Sequence, residues 1–244
     1  MQVNNWFFGF GDNPAITDEY VQDVKRRYTG VFYQRMIEGK WVAAEGGVFA
    51  NFDPSFHVVD EHPEIKEYYL SCDWGFNNPM CLLLVGEDAD GCYYILDEFY
   101  QSGRLVDDHL NRELKERGWD KLGPRKERPY QCLYDVESPS DGQRMRDMGW
   151  NMVPALKHPG SVVESIKATQ QAFQKQENGR ARLYFMRHCS KTIAEMSGYR
   201  WKTVRGVNKD EPVKENDHAV DAVKQFVYTK DAGRVKVLKS NPFR

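Results

Sequence analysis

Two aspartates end apolar runs, and a third acidic group opens the last amphipathic stretch. Tyr68-Tyr69-Leu70-Ser71-Cys72 climbs to Asp73 and breaks at Trp74-Gly75; Gln131-Cys132-Leu133-Tyr134 climbs to Asp135. Strands this apolar lie inside a sheet, where a charge is costly unless it is paired or binds a cation. If the two strands are parallel neighbours, both carboxylates reach the same sheet edge, where α/β folds place their sites. In Asn216-Asp217-His218-Ala219-Val220-Asp221-Ala222, Asp217 and Asp221 are four apart and His218 and Asp221 three apart, so all three can share one helical face. Two strand-end aspartates and a helix aspartate make a hard-oxygen cluster suited to Mg2+ or Mn2+. Such a cluster can hold two ions, one activating water and one stabilising the leaving oxygen of a phosphodiester. Structural readings stand beside this one. Asp73 before Trp74-Gly75 is also a turn former. Asp217 also suits a helix dipole, and Asp217, Asp221, Lys224 and Tyr228 could be one solvated stripe.

The elements that must position these groups follow from pattern. Three short strands, with Asp90-Gly91 between the second and third, predict a strand followed by a hairpin. Residues 106–117 predict a helix stopped at Gly118, 140–148 one stopped at Gly149, and 161–176 a long amphipathic helix with Ser161 as its cap. Strands are predicted at 131–135, 150–155 and 182–185, a helix at 189–196, an extended segment at 199–204 and a polar turn at 208–215. Asn216 is expected to cap a last helix running to about Tyr228, and the basic stretch from Lys230 has little pattern. Antiparallel strands followed by alternating helices and strands give a mixed α/β sheet.

Composition narrows the class. The chain has 244 residues, 41% of them hydrophobic, enough for one large domain with an extended arm. Net charge is -2 and the sequence pI is about 6.3, so nucleic-acid contact must come from local patches. Cationic candidates are Arg125, Lys126 and Arg128, then Lys157, and then Arg200, Lys202 and Arg205. The five cysteines form no CxxC pair, which fits reduced core thiols rather than zinc or disulfides. No apolar run is long enough to span a bilayer, and a reducing cytoplasm is the expected setting. Residues 1–60 carry large apolar side chains at irregular spacing (Phe32, Tyr33, Met36, Trp41, Val42) between glycines, and read as an arm packed against something else.

The motifs together resemble the C-terminal nuclease domain of the large terminase subunit of tailed bacteriophages, a ribonuclease H-like fold. The likeness covers roughly residues 30 to 229. It rests on Gly30-Val31-Phe32-Tyr33 through Gly39-Lys40-Trp41, Cys72-Asp73-Trp74-Gly75, Tyr134-Asp135-Val136-Glu137-Ser138-Pro139, Lys157-His158-Pro159-Gly160-Ser161, Tyr199-Arg200-Trp201 and the 216–222 segment. The resemblance implies a ribonuclease H-like mixed sheet with flanking helices, in three parts. Residues 1–60 would connect to an ATPase domain absent from this sequence, 61–230 would form the nuclease, and 231–244 a basic tail. It implies Asp73, Asp135 and Asp221 as metal-binding acids, His218 as a supporting group and Asp217 as a further candidate. Two divalent ions, Mg2+ or Mn2+, would serve cleavage of double-stranded DNA during genome packaging in the host cytoplasm. The ATPase domain, the small terminase subunit and the portal would be partners. No GxxxxGK[ST] phosphate loop occurs, and Val136-Glu137-Ser138 stands where the family carries small residues and then an acid. A junction resolvase or integrase on the same fold, and a docking module without catalysis, are the alternatives.

Overall fold

A computed structural model describes residues 15–27, 33–34, 37, 39, 46–122, 128–204 and 207–239, without the side chains of 23–27, 207–208 and 233–239. The sheet is built around the most apolar segment, β3 (Met80–Asp88), in which every residue but Glu87 is buried. It pairs antiparallel with β2 (Ile65–Asp73) on one side and β4 (Tyr93–Gln101) on the other. Beyond β2 lie β5 (Gln131–Tyr134) and β6 (Met152–Pro154), both parallel to their neighbours. Beyond β4 lie β7 (Leu183–Met186) and the short β1 (Val58–Val59), also parallel. The seven strands run in the order β1-β7-β4-β3-β2-β5-β6.

Helices cover both faces. Alternation along β2 sends Leu70 and Cys72 to the face of α3 (Asp108–Glu116) and α4 (Pro139–Asp147), where they pack with Leu110, Leu114, Trp119, Met145 and Trp150. Tyr69 points to the other face, with α5 (Ser161–Phe173), α6 (Ser190–Gly198) and α7 (His218–Lys239). Two-residue periodicity from Tyr69 through Ser71 puts Asp73 on the α7 face. The same period from the buried Leu133 puts Asp135 there. Val48, Phe49 and Phe52, with α2 (Pro54–His57), pack into this second core, so the end of the predicted arm belongs to the sheet. At the other end of the described chain, α1 (Asp18–Arg27) opens at Thr17, whose hydroxyl accepts from Tyr20 N–H at 3.2 Å.

The structure revises four local expectations. Residues 207–212 form a strand, β9 (Val207–Pro212), in a hairpin with β8 (Trp201–Val204), because backbone pairing satisfies a polar segment that looks like a turn. Gly160, not Ser161, caps α5; its φ of +92° lies in the region that glycine adopts without strain. Asn216 has a φ of +49° and lies outside α7, whose first turn closes as Asp221 N–H donates to Asp217 O at 2.7 Å. The last helix does not stop near Tyr228: its backbone runs to Lys239, and Asp231 pairs with Arg182 at 2.5 Å. Of the aromatic arm, Phe32, Met36, Trp41 and Val42 lie outside the described residues.

Phe226 of α7 is fully buried between Tyr93, 5.0 Å between ring centroids, and Tyr69, at 5.5 Å. Phe226→Ala is expected to cost about 3–5 kcal/mol, read as a drop in the urea midpoint with an unchanged slope. A loss below about 1 kcal/mol would mean that α7 is not held by this core.

Candidate active site

The parallel register of β2 and β5 pairs Cys72 with Tyr134, so the next residues along, Asp73 and Asp135, emerge side by side at the carboxyl ends of adjacent strands. Gly75 permits the turn that follows Asp73: a Cβ there would sit 2.6 Å from Asn78 O and 2.7 Å from Pro79 O. Asp135 Oδ1 accepts from the Glu137 N–H at 2.9 Å, so this carboxylate also shapes its own turn.

The third element is α7, held against β2 by side-chain bonds. Ser71 Oγ donates to Ala222 O at 2.7 Å, and Gln225 Nε2 donates to Cys72 O at 2.8 Å. This seating brings His218 Nδ1 to 3.0 Å from Asp73 Oδ2 and turns Asp221 toward the same edge. Burial pushes the Asp73 carboxyl up to about 6; Asp221 and Asp135 push the same way, and the bond to His218 opposes them. That bond in turn holds His218 above its ordinary value.

Each carboxylate already has a cationic partner. Lys157 Nζ sits 2.9 Å from Asp135 Oδ2 and 2.6 Å from Glu137 Oε1. Asp221 has Lys224 Nζ at 2.6 Å and Lys214 Nζ at 3.2 Å. Burial acts to raise the Asp221 carboxyl, but the two lysines outweigh it and hold it low. Asp217 is buried, its Oδ2 3.4 Å from Lys214 Nζ and without a hydrogen bond. Among the described residues, no three acidic, histidine or cysteine side chains close around a single point. The donor set nevertheless fits a divalent cation in its chemistry: hard carboxylate oxygens from three elements share an edge where burial, and then their mutual repulsion, raises Asp73.

The family description "Terminase RNAseH like domain" matches residues 73–228, from Asp73 itself to Tyr228 of α7. The chain belongs to the terminase RNase H-like family. Among its relatives is the large terminase subunit of Escherichia phage T5, 22% identical over 253 residues that take in 94% of this chain and 53% of that protein. The large terminase of a thermophilic bacteriophage, solved in complex with ADP, is 28% identical with a TM-score of 0.74, over 91% of this chain and 54% of that one. The large terminase nuclease of the thermophilic phage G20c, solved with bound cobalt, shares the fold at 14% identity and a TM-score of 0.51, over 74% of this chain and 96% of that one. The terminase RNase H-like chain thus spans about half the length of the T5 protein and of the ADP-bound terminase.

The structure brings Asp73, Asp135, Asp221, His218 and Lys157 of this terminase domain together, with Asp217 at the margin. The other predicted cations are spread. Arg128 is turned inward, donating to Met148 O at 2.5 Å with its guanidinium 5.1 Å from the Trp150 ring centre. Arg200 and Lys202 are exposed opposite Glu215 and Glu211. Arg125, Lys126 and Arg205 lie outside the described residues. Sequence reasoning passed over Lys214, Lys224 as a site residue, and Glu195. The Glu195 carboxylate, buried in α6, accepts from Ala219 N–H at 2.7 Å and also takes the Tyr100 hydroxyl. It therefore caps α7 from another helix, a role that no spacing in the chain announces. The apolar context of Glu195, between Ala194 and Met196, was the available signal.

Two outcomes follow from these contacts. Glu195→Ala should lower stability by about 2 kcal/mol in urea denaturation, through the lost cap and an unpaired Tyr100 hydroxyl; an unchanged midpoint would remove Glu195 from the site's support. The second concerns pH. The folded value of Asp73, about 6, lies above its ordinary 3.8, so stability falls as pH rises through that interval. His218 acts in the same direction, its contribution full below 6.5 and lost as pH rises from there through its raised folded value. In EDTA, Asp73→Asn should gain on the wild type by roughly 1–3 kcal/mol between about pH 4 and about pH 7. Parallel stability curves would show that the carboxylate is not strained.

Proposed function

We propose that this chain is a metal-dependent endonuclease that cuts double-stranded DNA, acting in viral genome packaging within the host cytoplasm. The observation that carries the reading is the convergence of Asp73, Asp135 and Asp221 from three elements at the carboxyl end of a parallel strand pair, in a chain of the terminase RNase H-like family. Asp73, Asp135 and Asp221 would hold two divalent ions, Mg2+ or Mn2+, with Asp217 available at the margin. Bound there, divalent ions supply a water nucleophile at neutral pH and charge stabilisation for the leaving oxygen. The chain's own residues do the rest. His218 orients Asp73 and shares its charge, and Glu195 sets the start of the helix that carries His218 and Asp221. Lys157, Lys214 and Lys224 hold the carboxylates in place and offer positive charge to a DNA backbone. Arg200 and Lys202, which are exposed, and Arg125, Lys126 and Arg205 are the further proposed contacts to DNA.

In this organisation residues 1–60 connect to an ATPase domain and 61–230 form most of the nuclease, whose sheet also takes in β1 and whose last helix runs on into the 231–244 stretch. The ATPase domain, the small terminase subunit and the portal are the proposed partners. The end of the connection, from Val48 to Val59, packs into the nuclease core, which suits a fixed coupling between motor and nuclease.

Supercoiled plasmid incubated with the protein should be nicked and linearised in Mn2+ or Mg2+ and left intact in EDTA. Asp73→Ala, Asp135→Asn and Asp221→Asn should each lose activity by about 100-fold or more while retaining their fold by circular dichroism. Nicking at the wild-type rate by a folded Asp73→Ala protein would refute the assignment, and no nicking by the wild type in any divalent ion would favour the docking module.

A further inference from the structure

We propose that the N-terminus of α5, with Lys157 and Lys224, forms a subsite for a backbone phosphate of duplex DNA beside the carboxylate cluster. The identity of the ligand rests on the nuclease reading; the anion site rests on geometry of its own. A cavity of about 110 Å3 is lined by Asp135, Lys157, Ser161, Lys214, Asp221 and Lys224, so the carboxylate edge and the first turn of α5 share one space.

That first turn is open. Gly160 at the cap position has no side chain to offer. Ser161 N–H donates to His158 O at 2.9 Å, and the N–H groups of Val163 and Glu164 both turn to Gly160 O. The Val162 N–H has no partner among the described residues, and it sits at the positive end of a 13-residue helix. A second observation points to a ligand. Ser161 is only 9% exposed and lines the cavity, yet its hydroxyl has no hydrogen-bond partner among the described residues. An amide and a hydroxyl donor at a helix N-terminus match an anion with oxygens on several sides.

The cavity wall carries three ammonium groups, of Lys157, Lys214 and Lys224, and two carboxylates, of Asp135 and Asp221, while Glu137 and Asp217 pair with Lys157 and Lys214 from beyond the lining. Lys224 is only 4% exposed and is held by Asp221 and by the Tyr199 hydroxyl, 3.0 Å away, so its charge is fixed in the wall. Glu164, the acid in the first turn, does not compete for the free amide. Its carboxylate accepts from Tyr228, whose oxygen lies 2.7 Å from His158 Nε2. The loop before the helix is tied to α7 a second time, through Leu156 N–H to Thr229 Oγ1 at 3.0 Å. An anion here therefore meets donors already in position. A phosphodiester fits the setting better than a free phosphate does, because the same space opens onto the carboxylates where cleavage is proposed.

The test is an NMR titration of the 15N-labelled full chain, in EDTA so that DNA stays intact, with a short duplex in one arm and inorganic phosphate in the other. The Val162 amide should move saturably with the duplex, at a lower concentration of phosphate groups than inorganic phosphate requires. Ser161→Ala removes only an unbonded hydroxyl and should keep the fold, yet weaken duplex binding roughly tenfold, the scale of one hydrogen bond to a charged group; Ser161→Thr should restore it. A Val162 amide that stays still while the duplex binds, or a Ser161→Ala affinity equal to wild type, overturns the subsite. Equal potency of inorganic phosphate and duplex overturns the assignment to DNA. Plasmid nicking run in parallel keeps the two readings apart. Nicking without movement of Val162 sinks the subsite alone, and movement of Val162 without nicking in any divalent ion supports the anion site and sinks the nuclease.

Discussion

The seating of α7 on β2 is the constraint on which the functional edge depends. A helix packed on a sheet by apolar contact alone can slide or rotate with little change in buried area, because hydrophobic burial has no direction. Here two directional bonds remove that freedom: Ser71 to the carbonyl of Ala222, and Gln225 to the carbonyl of Cys72. Both involve β2 residues within two positions of Asp73, and both reach α7 within four positions of Asp221. The contacts that fix the packing thus also fix the distance between the two acids. Buried Ser71, inside an otherwise apolar strand, has its explanation in that bond.

Gathering acids at one edge has an electrostatic consequence that shapes everything around it. Asp73 is mostly buried and faces two like charges, so its ionised form is disfavoured until positive charge arrives. Histidine and lysine supply that charge to each acid in turn: His218 to Asp73, Lys157 to Asp135, Lys214 and Lys224 to Asp221. An ion pair that is partly buried is weak evidence for stability, since desolvation offsets much of the attraction. The pairs are better understood as keeping a site of high negative charge folded, with the same ammonium groups facing the cavity where an anionic substrate would enter.

Support for the site reaches across the whole sheet. Asp73, Cys81 and Tyr100 stand in one row over β2, β3 and β4. Tyr100 passes the row on to Glu195, and Glu195 to the first amides of α7, which returns to Asp73 through His218. The ring of contacts closes on itself, so the start of α7 is over-determined. At the opposite side of the cavity, α5 begins at a glycine and leaves donors open. One helix start is capped by a buried carboxylate from another helix, and the other has no side-chain cap.

Much of this was legible in the sequence, for a physical reason. Strand and helix periods are local, so the apolar runs ending in Asp73 and Asp135 and the three- and four-residue spacings of His218, Asp217 and Asp221 could be read without tertiary information. The same period of two assigned both strand-end acids to one face as soon as the strands were parallel neighbours. The core fold followed, and the three acids it singled out lie at one edge of the sheet. Pairing between segments was not local and was not legible. The 207–212 strand looked like a turn because its polar residues are satisfied only by β8. Lys224 looked like part of a solvated stripe, and its near-complete burial comes from Tyr199 and Asp221 closing over it. Glu195 had no motif at all, because a carboxylate that caps another helix is defined by where the two helices meet. The sequence determined which residues could do the chemistry; the tertiary structure decided which charges oppose them, since electrostatic partners are chosen by distance in space and not by spacing along the chain.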